Sequence, residues 1–289
     1  MASADHYSPP DTSPWPLGAA AGLFVLALGA GLAANGVGPG KWLALAGAAV
    51  TAFTVARWFG RVIAEGERGG YSQVVDRSFR WGMAGLLFAE AVLFTALLGA
   101  LFYLRQLVLP VLGGGDLWSG FSADWPTAGP RGPEAAAPDS IPGPGQFSPI
   151  GAWGIPAINT MILFISAGAV VWAYWGLIRD NRAQLITGLF LTIALGAVFL
   201  ALQVYDYARA YAELNLRPAT GVYGATFFVL TGLHAVYALA GVGALIVLLG
   251  RALKGHFLPD RHFGLEAGVW QWLFVSAAWA LLFVFVYWL

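Results

Sequence analysis

The chain has 289 residues, of which 58% are hydrophobic and 10% charged, with 15 basic residues against 15 acidic ones. A soluble domain carries roughly 25% charged residues, so this composition excludes a water-covered globule, and the zero net charge leaves no electrostatic case for nucleic acid. Cysteine is absent, which excludes disulfides, thiolate metal sites and a thiol nucleophile in this chain.

A spanning helix needs about 20 mostly apolar residues, and that ruler predicts seven. Residues 1–14 read as a cytoplasmic segment. They contain Asp5, Asp11 and several prolines but no basic stretch before the apolar run from Leu17, so that run is expected to stay as an anchor rather than be cleaved. The first helix is predicted at about Trp15 to Asn35, a turn at Gly36 to Gly40, and the second helix at Trp42 to Phe59. Together, 15–60 read as a two-helix bundle. Residues 61–79 hold Glu65, Glu67, Arg68, Asp76 and Arg77 and read as a polar cytoplasmic connection. The third helix is predicted from about Arg80 to Arg105, with one internal charge, Glu90. The Gly- and Pro-dense stretch 107–154 suits an irregular external loop. Four further spans follow at Ile155 to Ile178, Gln184 to Tyr205, Tyr223 to Gly250 and Ala267 to Leu289, so that 80–289 form a five-helix bundle.

Basic residues set the orientation. With the N-terminus inside, the cytoplasmic side takes ten of the 15, among them Arg57, Arg61, Arg179, Arg182, Arg251 and Lys254; the outer side takes Lys41, Arg105, Arg131, Arg209 and Arg217. The N-terminus is therefore predicted to be cytoplasmic and the C-terminus outside. Trp15, Trp42, Trp58, Trp81, Trp153, Trp175 and Trp288 fall near predicted helix ends, where indole favours the headgroup region. Gly18 and Gly22 give the first helix a small-residue face for close approach.

Few residues carry chemistry. Glu90 sits mid-helix, where an ionised carboxylate without a partner costs several kcal/mol (on the order of 3). It is either a proton-handling group or a neutral, hydrogen-bonded structural carboxyl. His234 is the one histidine well inside a helix; a haem or copper site needs converging ligands, so it reads as a structural core histidine. Asp206, Glu213 and Glu266 are placed at helix ends, where water or headgroups solvate them. Nucleophile triads, phosphate loops and zinc motifs are not found.

Several motifs are specific. Ser13-Pro14-Trp15-Pro16 leads into the first helix; Arg80-Trp81-Gly82-Met83 precedes Glu90; Pro156-Ala157-Ile158-Asn159-Thr160 opens the fourth. Gly221-Val222-Tyr223-Gly224-Ala225-Thr226-Phe227-Phe228 leads to Thr231-Gly232-Leu233-His234, and His262-Phe263-Gly264-Leu265-Glu266-Ala267 to Trp270, Trp272 and Trp279. In this order, over nearly the whole chain, the set resembles subunit III of the haem-copper cytochrome c oxidases. The chain departs from that pattern at Ala64, Tyr174-Trp175, Asp206-Tyr207, Tyr237, and Leu273 and Ser276.

The resemblance implies an all-α integral membrane protein, its seven helices in two bundles (helices 1–2 and 3–7) around a cleft that holds phospholipid. It implies a non-catalytic core subunit of a proton-pumping aa3-type oxidase that passes electrons from cytochrome c to O2, in a bacterial inner (cytoplasmic) membrane. Oxidase subunits I and II are the implied partners, and haem a, haem a3, CuA and CuB belong to those partners. Lipid contacts are implied at Arg251, Trp58, Arg61 and Glu65; Arg251 is equally an ordinary inside-facing charge. Quinol oxidase or nitric oxide reductase relatives tend to lack the first two helices, and an unrelated transporter would show repeats or paired broken helices, which this chain does not.

Overall fold

Glycine decides how the first two helices meet. The computed structural model describes residues 13–68, 73–113, 123, 125–126, 147–259 and 262–289, so the N-terminal segment through residue 12, most of the loop 107–154, Arg131 and Arg261 lie outside the described residues. The chain divides into a unit ending at Trp81 and a unit beginning at Gly82. In the first, α1 (Trp15–Ala34) carries Pro16 in its opening turn, where a missing N–H removes no helix bond. It closes in a Schellman turn: Gly36, at φ +74°, lets Val37 N–H reach the Leu32 carbonyl at 2.9 Å. α2 (Gly40–Glu67) returns antiparallel. A Cβ on Gly47 would collide with the Leu26 backbone, and one on Gly29 with that of Ala44. The predicted Gly22 face is there too, against Thr51, but the tightest approaches use Gly29, Gly40 and Gly47.

Most helices outrun their apolar stretches. α2 continues to Glu67 and α3 (Gln73–Tyr103) begins inside the segment read as a polar connection. The reason is local: Arg61 bonds Glu65 at 2.7 Å and Arg80 bonds Asp76 at 3.1 Å, both one turn apart. Hydrocarbon thickness ends an apolar run; it does not end a helix. At the other end, α3 passes through a π turn (Leu104–Val108) into a last helical turn, Leu109–Gly113. The wider turn accommodates Pro110, whose ring would otherwise meet the carbonyl four residues back.

The second unit has its own core. α4 (Ile155–Ile178), α5 (Arg182–Ala212), α6 (Gly221–Leu253) and α7 (Phe263–Leu282, continued by a π segment to Trp288) pack in a closed ring, α7 returning to α4. Asn181 caps α5, its side chain accepting from Gln184 N–H at 3.0 Å. Trp272 lies at the centre, fully buried. Its ring edge meets Gly196 of α5 and Gly241 of α6, and its indole N–H donates to Ser166 of α4 at 2.8 Å. Trp279 repeats the device two turns on, donating to Thr160 at 2.9 Å and lying edge-on to Phe199. α3 joins through Phe94, which packs against His234, Tyr237 and Phe274. At the N-terminal end of α6, Phe147 stacks on Tyr223 and Ser148 N–H bonds the Leu214 carbonyl at 3.0 Å, so the close of the long loop covers the bundle.

Seven helices among the described residues are long and apolar enough to cross a membrane. The protein is an all-α, multi-pass membrane protein.

Candidate functional site

The α3 residues Glu90, Phe94 and Leu101 fall on one buried face, and that face carries Glu90 inward. Only 6% of Glu90 is exposed. Its Oε2 accepts from Gln271 Nε2 of α7 at 3.0 Å. A neutral amide is a structural partner, able to hold a carboxyl in place but not to exchange a proton with it at neutral pH. Sequence reasoning identified Glu90 and missed Gln271, although an amide in the middle of an apolar span was the available signal.

One turn along α3 the same wall reaches His234. Its ring is fully buried between Phe94, Phe199 and Trp279. Nε2 lies 2.9 Å from the Val275 carbonyl; because a carbonyl only accepts, Nε2 carries the proton and the Nδ1 lone pair faces apolar neighbours. This geometry locks α6 to α7. No group of three or more His, Asp or Glu that could hold a metal stands together among the described residues.

Asp206 departs from expectation. The sequence placed it at a helix end, solvated; it is buried, with 1% exposure. α5 runs to Ala212 rather than ending at Tyr205, so Asp206 shares the inward stripe of Phe199, Gln203 and Ala210. Arg209 and Glu213, bonded at 3.1 Å, occupy the exposed side of that extension. Glu266 does sit at a helix end: it is half-buried in the first turn of α7, where a negative charge meets the positive end of the helix dipole.

Basic and aromatic groups gather at helix ends in each unit. In the first unit Arg57 lies over the Trp15 ring at 5.8 Å, Trp58 is half-buried beside Phe59, and Arg61 is engaged by Glu65. A groove of about 530 Å³ opens between Trp15, Ala56, Arg57, Gly60 and Arg61. In the second, Arg251 sits in the last turn of α6 with its guanidinium 4.6 Å from the Phe257 ring centre. Arg182 donates to the Leu253 carbonyl at 2.6 Å, and the Tyr174 hydroxyl meets His262 at 3.3 Å. These groups suit anionic headgroups; none forms a nucleophile–base pair.

Known proteins place this arrangement. Residues 6–126 and 138–289 match the sequence profile of the family described as Cytochrome c oxidase subunit III. The chain is 34% identical over 277 residues to the Cytochrome c oxidase subunit 3 of Hippopotamus amphibius, covering 96% of this chain and 94% of that protein. It is 33% identical to that of Raphicerus campestris and 32% to that of Equus caballus, with the same coverage. The chain therefore belongs to the cytochrome c oxidase subunit III family.

Proposed function

We propose that this chain is the non-catalytic core subunit III of a proton-pumping aa3-type cytochrome c oxidase in a bacterial cytoplasmic membrane. Electrons pass from cytochrome c to O2 through haem a, haem a3, CuA and CuB of partner subunits I and II, and subunit I is the main contact of this chain. The role of this chain is to sustain proton uptake and to protect the catalytic subunit during turnover. What carries the reading is the extent of the family match, which takes in both helices of the first unit as well as the five that follow. The two-bundle division is part of the same proposal, with helices 1–2 as one bundle, helices 3–7 as the other and phospholipid in the cleft. Trp58, Arg61, Glu65 and Arg251 are the proposed headgroup contacts, supported by their position at basic, aromatic helix ends. Glu90 is assigned a structural role on the strength of its neutral amide partner, Gln271. The N-terminus is cytoplasmic, an orientation supported by the bias of basic residues.

The test is purification of the complex from native membranes, with haem and copper spectra, followed by a turnover time course with and without this chain. Removal is expected to preserve the initial rate, slow proton uptake at high pH and hasten loss of activity over repeated turnovers. An unchanged time course would remove the supporting role, and stoichiometric haem on the isolated chain would overturn the assignment. A complex that oxidises quinol but not cytochrome c would move it to the quinol-oxidase branch. Reporter fusions at Gly38 and Asp180 are expected on opposite sides of the membrane, Gly38 outside.

A further inference from the structure

The outer half of the α4–α7 ring holds buried polar groups that the proposed function does not use. Asn159, Gln203, Asp206 and Tyr287 are each more than nine-tenths buried. Both side-chain heteroatoms of Asn159, Gln203 and Asp206, and the Tyr287 hydroxyl, lack a hydrogen-bond partner among the described residues. They converge. Gln203 and Asp206 project from one face of α5, three residues apart. The Gln203 amide lies beside the Tyr207 and Tyr287 hydroxyls without a well-formed bond to either, and Asp206 is in electrostatic reach of both phenols. Tyr207 is tied to Thr231 at 2.7 Å, and its ring and that of Tyr287 both pack on Phe227. Asn159 follows from register: Gly176 faces Leu185, Gly188 faces Ala173, and Ser166 bonds the Thr192 carbonyl. Seven residues further out on each antiparallel helix, Asn159 falls opposite Phe199, one turn from Gln203.

A buried polar atom left unbonded costs about 1–3 kcal/mol, and one such group is tolerable where four together are not. The set contains amide N–H donors as well as carboxyl, amide and phenol oxygens. A cation would satisfy only the oxygens and leave both amide NH2 groups unbonded; one carboxyl is also too little charge for a divalent ion. Water donates and accepts, and bridges groups of this kind in protein interiors.

We propose that Asn159, Gln203, Asp206 and Tyr287 form an internal water site, closed from the outside, whose ordered waters bond α4, α5 and α7 to one another. The direct test is a structure of the intact oxidase complex at a resolution that shows ordered water. Density at hydrogen-bonding distance from at least Asn159, Gln203 and Asp206 is expected. Direct bonds among the four side chains with no density between them would overturn the proposal. So would a sodium ion, recognised by shorter oxygen-only contacts and by loss of thermal stability when sodium is exchanged for a large organic cation. A double-mutant cycle gives a second readout in the assembled complex. Asn159→Leu and Gln203→Leu are each expected to lower the melting temperature, and the pair to lower it by clearly less than the two shifts added, because either change disperses the shared waters. Additive shifts would overturn the proposal. Asp206→Asn, which keeps the size and an acceptor, is expected to retain the density where Asp206→Leu loses it; density that survives Asp206→Leu counts against the assignment.

Discussion

In the two-helix unit the interface is backbone against backbone; in the unit from Gly82 onward it is aromatic side chain against glycine, closed by hydrogen bonds. Only Ala19, Gly22 and Gly29 of α1 are buried, and Leu17, Phe24, Trp42 and Phe53 lie exposed around the pair. The ring of α4 to α7 instead buries whole tryptophans. Lipid offers no hydrophobic driving force between helices, so association rests on packing and on polar contacts. A pair has no interior in which to place a large side chain, and close approach is its one resource. A ring has an interior, and can fill it with groups that also donate hydrogen bonds.

The largest effect should therefore come from the centre of the ring. Trp272→Ala removes the side chain that fills the space beside Gly196 and Gly241 and donates to Ser166. Such truncations cost about 3–5 kcal/mol in water-soluble cores, and the cavity part of that cost persists in lipid. Denaturation of the complex followed by circular dichroism should show this unit melting early. A loss of less than about 1 kcal/mol, a fraction of that range, would mean the ring collapses onto the gap.

Gly47→Val strikes the other kind of interface. The added atoms meet the Leu26 backbone, which has no rotamer to yield. Overpacking costs about 1–3 kcal/mol where side chains give way, and at least that is expected here. The helix pair should separate while the α4–α7 ring melts unchanged. Gly31→Val, on the same helix pair but facing open space, is the control and should be neutral.

The contrast also explains what was legible in the sequence. Seven spans followed from apolar length alone, because hydrocarbon thickness writes directly into composition. Helix ends did not follow: Arg61–Glu65 and Arg209–Glu213 extend α2 and α5 past the apolar run with charged pairs one turn apart, and a window of hydrophobicity is blind to that. The misplacement of Asp206 is the same error, since two extra turns of α5 carry it inward. Glu90 stood out as a charge in an apolar span, whereas Gln271 and Gln203, being neutral, did not, and their surroundings follow only from tertiary packing. Gly18 and Gly22 were visible as a spacing; Gly29, Gly40 and Gly47 became distinguishable from other glycines only once a facing helix was known.

A smaller effect is expected at Glu90. Glu90→Gln keeps an oxygen for the Gln271 amide, so stability and initial turnover of the complex should be nearly unchanged. Glu90→Leu leaves the amide unbonded, at a cost of about 1–3 kcal/mol. A several-fold fall in initial rate with Glu90→Gln would show the carboxyl to be a proton carrier, contrary to the role its neutral amide partner supports.

The smallest stability effect belongs to the first unit's exposed end. Arg61 and Glu65 form an ion pair 2.7 Å long with side chains 40% and 30% exposed. Pairs one turn apart on a helix surface contribute about 0.3–0.5 kcal/mol, less in salt. Arg61→Gln should leave the melting of the complex within error, and raising ionic strength should change it no further. The same substitution should nonetheless reduce the anionic phospholipid retained by the purified complex, because Arg61 also lines the groove with Trp15 and Arg57. The two readouts separate two meanings of one side chain. Lipid loss without a shift in melting makes Arg61 a headgroup ligand; a clear shift in melting with full lipid retention makes it a structural brace, and would place the binding of lipid elsewhere than in this pair of helices.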